Sequence, residues 1–281
     1  MPASSRGAGR LFLVATPIGN LGDVTARAVL ALGQVDFIAC EDTRHSRILL
    51  DHCGIRKPTV SLPAFAEGER AEGLLDRIEA GEDCALITDA GSPAVSDPGE
   101  RLVAEAVARG IAVVPIPGPT ALVAALSASG LPTARFHFLG FLPRTASEAD
   151  AMLDEVKGLS ATLVLYESPR RLGQTLQRLH RLLEDRRACV GRELTKLHEE
   201  FVRGGLGELS ARYAGEEVKG EIVIVVEGRT QAARWSEAEV RSALATGLAR
   251  AEHLKALSAE VARASGWSAR ELYRLGLSLK A

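Results

Sequence analysis

Three loops rich in glycine and proline are the parts of the chain best able to hold a ligand through their backbone. The longest, residues 88–99, contains two glycines and two prolines between an apolar run and a helical pattern. Strand-to-helix connections usually take about two to six residues, so this length indicates a shaped site rather than a simple connection. Loops 16–23 and 117–121 follow other apolar runs. Their glycines would let a ligand approach the main chain closely.

Loop 16–23 is first considered as a binding loop for nucleotide phosphates. The loop has only Gly19 and Gly22, and it lacks both the Gly-Lys-Ser/Thr ending of a phosphate loop and the G-x-G-x-x-G pattern. We therefore expect it to contact a ligand through its backbone, or simply to turn into a helix. Asp23 would cap that helix and Gly33 would end it.

The elements that must position these loops alternate along the chain. Strands are predicted over 11–15, 37–40, 59–62, 84–87 and 111–114, and helices over 24–32, 46–52, 70–80, 100–109 and 119–129. This order predicts a parallel sheet with helices on its faces. The three loops would then meet at the carboxyl edge of the sheet, where open α/β sheets bind their ligands.

The pattern changes after Gly130. Further strands are predicted over 136–141, 162–166, 188–190 and 221–226, and further helices over 147–159, 171–183, 206–213, 236–245, 253–264 and 269–279. The segment 193–203 is polar and mixed. The sequence thus predicts an α/β fold with two α/β domains, 10–118 and 119–229, the second with a smaller mixed sheet. A helical extension, 233–281, follows them.

Composition excludes several classes of protein. Of 281 residues, 46% are apolar, and the net charge of −2 gives no overall electrostatic reason to bind nucleic acid. The uncharged stretch 110–134 could span a membrane by length, but four prolines interrupt it, and the N-terminus lacks the apolar core of a signal peptide. The four cysteines form no C-x-x-C pair and no cluster with histidine. We therefore expect buried free thiols, no metal and a cytoplasmic protein.

Seven motifs follow one another in an order that resembles the tetrapyrrole methylase superfamily of S-adenosylmethionine-dependent methyltransferases. They lie at 16–23, 41–44, 88–99, 117–121, 166–170, 192–200 and 219–221. Tyr-Glu-Ser-Pro-Arg-Arg at 166–171 and Arg-Glu-Leu-Thr-Lys-Leu-His-Glu-Glu at 192–200 resemble the ribosomal RNA branch rather than the porphyrin methylases. The resemblance implies a cofactor held between two α/β domains, and a homodimer. It also implies methylation of the ribose 2′-oxygen of a cytidine in the decoding region of 16S rRNA.

The same resemblance implies which residues meet S-adenosylmethionine. They lie in the three loops and at the ends of two later strands: Pro17, Gly91, Ser92, Pro93, Val95, Ser96, Thr120, Ala121, Tyr166, Glu221 and Ile222. The two aspartates of loop 88–99, Asp89 and Asp97, are expected to hold the shape of the loop rather than to take part in chemistry.

Methyl transfer to a ribose hydroxyl needs alignment of the reactants and some activation of a poor nucleophile. Four residues of the two branch-specific motifs are the candidate catalytic groups: Glu167, Arg170, Glu193 and Lys196. We hypothesise that Glu193 or Lys196 activates or orients the hydroxyl. The competing interpretation is that each of the four forms an ion pair on the surface or at the domain seam.

The extension carries a pattern of its own. Residues with the spacing of a helix-turn-helix unit are Val261, Ala262, Gly266, Leu272 and Leu275. Basic residues in or beside that unit, which would contact the RNA backbone, are Arg263, Arg270 and Arg274. The alternative is a helical hairpin that only packs against an apolar face.

The expected partner is 16S rRNA within the assembled small ribosomal subunit, because a near-neutral protein has a weak general hold on phosphates. Two other functions fit parts of the sequence. A tetrapyrrole methylase would share the cofactor cleft, but the extension and the branch-specific motifs argue against it. A ligand-sensing regulator would use the helix-turn-helix unit on duplex DNA, but it leaves the converging loops unexplained.

Overall fold

The computed structural model describes residues 7–63, 67–229, 235–250 and 253–280, apart from the side chains of Glu67, Glu69, Arg263 and Lys280. The first sheet has five strands: β1 (Arg10–Val14), β2 (Phe37–Cys40), β3 (Thr59–Ser61), β4 (Cys84–Ile87) and β5 (Ala112–Ile116). All are parallel, in the order β3–β2–β4–β1–β5. Every residue of β2 and β4 is buried, as expected of strands covered on both faces. The predicted parallel sheet is confirmed.

Four helices cover the two faces of this sheet: α1 (Ala26–Gln34), α2 (Thr43–His52), α3 (Glu67–Glu79) and α4 (Glu100–Ala108). One apolar core lies under α3 and α4 and the other under α1 and α2. The start predicted for α1 is wrong, because the hydroxyl of Thr25, not Asp23, accepts a hydrogen bond from the N–H of Ala28 at 3.1 Å. The helix also continues through Gly33 to Gln34, so the predicted stop at Gly33 is wrong.

The second sheet also has five strands: β6 (Phe136–Phe141), β7 (Thr162–Glu167), β8 (Arg187–Arg192), β9 (Glu200–Gly205) and β10 (Ile222–Val226). Their order is β6–β7–β10–β8–β9. Only the β6–β7 pair is parallel, so the predicted mixed sheet is present. The sequence prediction missed β9. This strand is polar and half-exposed at the sheet edge, and it therefore lacks the apolar run that reveals a buried strand.

The helix after β5 packs on the second sheet rather than the first. Helix α5 (Ala121–Ala128) places Ala125 and Leu126 in a core with residues of β7 and β10. Ile18, from the loop after β1, joins the same core. On the opposite face lie α6 (Ala146–Val156), α7 (Leu172–Leu183) and α8 (Leu206–Arg212). The chain thus passes from one sheet to the other at loop 117–121, and the domain boundary at residue 118 stays a prediction.

The extension contains three helices, α9 (Glu237–Ala249), α10 (Leu254–Ser265) and α11 (Ala269–Lys280). They share an apolar core of their own, which includes Val240, Leu257 and Leu272. Gly266 ends α10 in the left-handed conformation at φ +69°, where glycine avoids strain. None of the helices in the described ranges is long and apolar enough to cross a membrane.

Candidate active site between the two sheets

Loop 88–99 is joined to the loop after β1 by backbone hydrogen bonds. The N–H of Thr16 donates to the carbonyl of Gly91 at 2.8 Å, and the N–H of Gly91 donates back at 3.1 Å. The Thr16 hydroxyl also donates to the carbonyl of Thr88 at 3.1 Å. Ala94 and Ser96 adopt positive φ, at +66° and +63°, which L-residues rarely do without function or tight constraint. The loop is therefore held in one shape by its main chain.

A cavity of about 340 Å³ lies against this loop, where the two sheets meet. Its lining comes from the loops after β1, β4, β5 and β7, the end of β6, the segment after β8 and the start of β10. The walls are largely apolar, with Ile18, Val95, Leu194 and Val223 among them. The predicted convergence of three loops at one edge is therefore found here, with a second wall added by the other sheet.

Tyr166 joins strand β7 to helix α5 in the wall of the cavity. Its hydroxyl accepts a hydrogen bond from the N–H of Leu122 at 3.2 Å, in the first turn of α5. Its ring packs edge-to-face against Phe138 and Phe141, with centroids 4.9 and 5.6 Å away. Burial raises the pKa of the phenol, so it stays neutral. The side chain therefore supplies a rigid aromatic wall rather than a base.

The structure brings most of the predicted cofactor residues to this cavity. Nine of the eleven line it: Gly91, Ser92, Val95, Ser96, Thr120, Ala121, Tyr166, Glu221 and Ile222. Pro17 and Pro93 are buried beside the lining, and Ile18 takes the place expected of Pro17. Their binding role stays a prediction, since it was implied by resemblance alone.

Glu167, predicted to be catalytic, has the surroundings of a structural residue. Its side chain is fully buried, and one carboxylate oxygen accepts from the hydroxyl of Thr175 at 2.6 Å. The other accepts from the N–H of Ser168 at 2.7 Å and lies 3.4 Å from the guanidinium of Arg171. Both oxygens are thus engaged by protein donors that join β7 to α7. These bonds favour a structural role for Glu167, which also borders the cavity, and its catalytic role stays a prediction.

Arg170, the second predicted catalytic residue, is exposed and lies outside the cavity lining. It faces a separate shallow surface groove with Gln174 and Gly207, next to the turn at Pro169 that does line the cavity. Its guanidinium is therefore placed to meet a substrate outside the cavity rather than a reacting atom within it.

Glu193 and Lys196, the other two predicted catalytic residues, form one charged network with Glu221. The ammonium of Lys196 donates to Glu193 at 2.8 Å and to Glu221 at 3.1 Å. Glu193 also accepts from the backbone N–H of Glu221 at 3.0 Å, and its own N–H donates to the carbonyl of that residue at 3.0 Å. Since Glu221 lines the cavity, this network forms part of the rim.

Two glycines make room for the network. A Cβ on Gly19, at φ +154°, would lie 2.4 Å from Cγ of Lys196. One on Gly220, at φ +94°, would lie 2.4 Å from the carboxyl carbon of Glu193. Lys196, which follows β8 of the second sheet, therefore lies directly on the loop after β1 of the first. The contact spans the seam between the sheets.

The charge states of the network weigh against a base in it. The hydrogen bond from Lys196 holds the pKa of Glu193 below its usual range, so its carboxylate is a weak proton acceptor. Burial acts to lower the pKa of Lys196, but the two carboxylates outweigh it and raise the pKa overall. At neutral pH Lys196 is a cation with one of its three donors left beyond those given to Glu193 and Glu221. Of the hypothesised roles, orientation fits Lys196 and proton abstraction fits neither residue.

Asp97 is the group in the cavity whose pKa suits a proton acceptor. Burial, together with repulsion from Glu41, Asp89 and Glu221, raises its pKa to about 7. Within the described ranges its carboxylate makes no hydrogen bond, and the turn around it is closed by the main chain, from the N–H of Ala94 to the carbonyl of Pro98. The expectation that Asp97 holds the loop's shape is therefore corrected.

The cavity has the character of a site for a cationic, partly apolar ligand. Asp97 and Glu221 stand among the apolar walls, and Glu41 and Asp89 lie close enough to Asp97 to repel its charge. One buried carboxylate oxygen of Asp89 has no hydrogen-bond partner. A positive ligand would relieve this repulsion, because opposite charges at short range stabilise ionised carboxylates. In the described part of the chain, no three His, Cys, Asp or Glu residues are grouped to hold a metal ion.

Comparison with known sequences agrees with this geometry. The sequence profile of the family described as Tetrapyrrole (Corrin/Porphyrin) Methylases matches residues 10–210, well over half of the chain. This chain belongs to the tetrapyrrole methylase family. It is 47% identical over 272 residues to a protein of Mesorhizobium japonicum named ribosomal RNA small subunit methyltransferase I, covering 96% of this chain and 92% of that one. A protein of the same name from Synechocystis is 44% identical, with 97% and 99% covered.

Solved structures of other tetrapyrrole methylases share the fold. The methyltransferase CobJ has a TM-score of 0.62 at 19% identity, covering 82% of this chain and 98% of that one. Uroporphyrin-III C-methyl transferase from Thermus thermophilus, solved with S-adenosylhomocysteine, has a TM-score of 0.59 at 20% identity. The two chains are covered to 78% and 97%. The expected fold, two α/β units with C-terminal helices, is confirmed for this tetrapyrrole methylase.

The arginines predicted to bind RNA belong to the C-terminal helices of this tetrapyrrole methylase. Arg270 and Arg274 are exposed, one turn apart on α11. Arg263 belongs to α10, but its side chain lies outside the described residues. Neither Arg270 nor Arg274 lines the cavity, and contact of the three arginines with RNA stays a prediction.

Sequence reasoning missed several residues that shape the site. Asp97 was assigned to loop shape, although an aspartate within a loop of constrained backbone was itself a signal for a perturbed carboxylate. Leu194 and Phe141 line the cavity as well, at the ends of elements of the second sheet. Nothing local in the sequence marks these two, since only the meeting of the sheets brings them to the cavity.

Proposed function

We propose that this chain uses S-adenosylmethionine to methylate RNA of the small ribosomal subunit, at the ribose 2′-oxygen of a cytidine in the decoding region. The relatives named for small-subunit ribosomal RNA methylation match nearly the whole chain, including the helical extension. The single observation that carries the proposal is the cavity at the meeting of the sheets. It combines shaped backbone loops with carboxylates and a protonated lysine at its rim.

The cavity residues suit each part of S-adenosylmethionine. The apolar lining and the ring of Tyr166 suit the adenine, and the backbone of loop 88–99 suits the polar amino acid part. Glu221 suits a positive charge of the cofactor. The cofactor supplies an electrophilic methyl group on a sulfonium.

Asp97 is the proposed proton acceptor. The ribose hydroxyl must lose its proton as its oxygen bonds to the methyl carbon and the bond from that carbon to sulfur breaks. A base with a pKa near the working pH accepts this proton best. The pKa of Asp97 is about 7 in the protein without bound ligand, which is close to that pH. Lys196 keeps its remaining donor for the substrate and orients either the hydroxyl or a neighbouring phosphate.

The assembled small subunit is the proposed form of the substrate. The net charge of −2 gives the protein little general attraction to RNA, so shape and local contacts must provide the affinity. A homodimer and a cytoplasmic location belong to the same proposal and are supported by the family resemblance alone.

Labelled methyl transfer tests the function. Small subunits from a strain lacking the modification are incubated with the protein and methyl-labelled S-adenosylmethionine, and the RNA is then digested to nucleosides. We expect the label in 2′-O-methylcytidine, with intact subunits labelled faster than free 16S rRNA. Label on a base, or transfer only to a porphyrinogen, would contradict the proposal. The Asp97→Asn variant is the matched control, because it keeps the shape of the side chain and loses its proton affinity.

A further inference from the structure

A basic groove lies on the first sheet's flank, beside helix α2. It has a volume of about 740 Å³ and runs between α2 and the segment 53–58 that leads into β3. Four cations line it: Arg44, Arg47, Arg56 and Lys57. We propose that this groove binds the phosphate backbone of the RNA whose ribose enters the cavity, an inference that rests on the proposed function.

The cations of the groove are available to a partner. The side chain of Arg44 is 93% exposed and that of Arg47 is 79% exposed. Their nearest carboxylates, Asp42 and Asp51, lie 3.7 and 3.5 Å away, and exposed ion pairs of this kind contribute little.

The other two cations of the groove have fewer contacts with protein groups than Arg44 and Arg47. Arg56 is exposed and Lys57 half-exposed, and in the ranges that the structure describes neither makes a hydrogen bond or ion pair. The groove as a whole therefore has more positive charge than its neighbouring acids neutralise, although the chain as a whole is slightly negative.

One end of the groove lies at the carboxyl edge of the first sheet, the edge that carries the cavity. Helix α2 follows β2 at the carboxyl edge of the sheet, directly after Glu41, whose charge acts on Asp97. Arg44 stands in the first turn of α2, and Arg47 is one turn further along. Helix α2 has ten residues and is therefore about 15 Å long. Segment 53–58 follows its last turn, at the opposite end from Arg44. The cations thus form a row that leads away from the reacting group.

Such a row fits a polyanion of regular charge spacing better than a compact anion. Phosphate contacts from Arg and Lys fix the register of a nucleic acid without reading its sequence. The carboxylates around the cavity would repel the same backbone, so RNA held in the groove can present a ribose while its phosphates stay outside. The groove therefore provides local affinity for RNA, which the slightly negative net charge of the protein does not provide.

Charge removal at the groove tests the inference. We compare the wild type with Arg56→Ala/Lys57→Ala and Arg44→Ala/Arg47→Ala, measuring methyl transfer to small subunits and direct subunit binding across a salt series. Each double variant should raise the KM for subunits about tenfold with kcat little changed. The slope of log affinity against log salt should fall by about one for each cation removed. Calorimetric binding of S-adenosylmethionine should be unchanged.

The matched control is Arg135→Ala/Lys157→Ala, which removes the same charge from exposed positions on the second sheet's side. An equal loss in this control, or unchanged subunit binding in both groove variants, would overturn the groove assignment. Preferential capture of anionic phospholipid vesicles over subunits by the wild type would overturn it too. Failure of the proposed function is a separate result, since a wild type that binds the cofactor would then label no ribosomal RNA.

Discussion

The wall that loop 88–99 gives to the cavity depends on main-chain conformation, whereas the wall formed by Glu193, Lys196 and Glu221 depends on paired side-chain charges. In the first wall, backbone bonds between Thr16 and Gly91 and two non-glycine residues at positive φ fix the shape. In the second, one ammonium joins two carboxylates and lies over Gly19. We infer that the first wall shapes the cofactor site and the second presents the substrate. Asp97 is the exception, a chemically active side chain on the main-chain wall.

The largest effect is expected for Asp97→Asn. Loss of the proton acceptor should lower methyl transfer about 10²- to 10⁴-fold, with cofactor binding measurable by calorimetry. In the wild type kcat/KM should rise with pH through the pKa of Asp97, about 7, because only the carboxylate accepts a proton. A variant with unchanged turnover and the same pH profile would remove Asp97 from the mechanism.

The same carboxyl should show itself in stability. Its pKa is raised in the folded protein from an ordinary value of 3.8 to about 7, so its contribution to stability is complete below the lower value. That contribution is lost as the pH rises through the higher one. Thermal unfolding should therefore show the stability of Asp97→Asn rising relative to the wild type as the pH increases by about four units, from about 4 to about 8. The same difference in stability between variant and wild type at low and at high pH would contradict the raised pKa.

The second largest effect on turnover is expected for Lys196→Ala, in the wall formed by Glu193, Lys196 and Glu221. Lys196→Ala should lower turnover about ten- to a hundredfold, since it removes a donor aimed at the substrate, and should leave cofactor affinity near normal. Lys196→Met is the matched control, because it keeps an apolar stem over Gly19 and loses only the charge. If Met restores turnover, the residue acts by packing across the seam and the electrostatic role is wrong.

A smaller effect on activity is expected for Glu167→Gln. The change disturbs the bonds from Thr175 and Ser168 and the contact with Arg171, so unfolding free energy should fall by about 1–3 kcal/mol. Turnover of the folded protein should stay within a few-fold of the wild type. Chemical denaturation and methyl transfer, measured on one preparation, distinguish a loss of stability from a loss of turnover. Loss of turnover without loss of stability would return Glu167 to the catalytic groups.

The smallest effect is expected for Ala94→Gly on the main-chain wall. Glycine adopts the φ of +66° without strain but adds freedom to the unfolded chain, so stability should change by less than about 1 kcal/mol. Cofactor affinity should be unchanged if the wall acts through its backbone. A large loss of affinity would show that the methyl group of Ala94 matters to binding.

The two walls also differ in how far the sequence reveals them. Loop 88–99 was found as a site because glycine and proline mark constrained backbone locally. Of the wall formed by Glu193, Lys196 and Glu221, the sequence showed only the motif that contains the first two. The spacing of Glu193 and Lys196 does not show that Glu221 completes the network. Strand β9 was missed because an exposed edge strand needs no apolar run. The groove beside α2 was missed because its cations come from two elements whose approach only the fold determines.

The structure of the protein with bound S-adenosylhomocysteine is the most direct test of the proposed cofactor site. We expect density in the cavity, with the backbone of Gly91 and Ser92 on one side and Ile222 and Val223 on the other. Asp97 should lie within hydrogen-bonding reach of the space where a ribose hydroxyl would meet the sulfur. Density elsewhere on the protein, or contacts from loop 88–99 with none from the second sheet, would contradict a cofactor site between this loop and the start of β10.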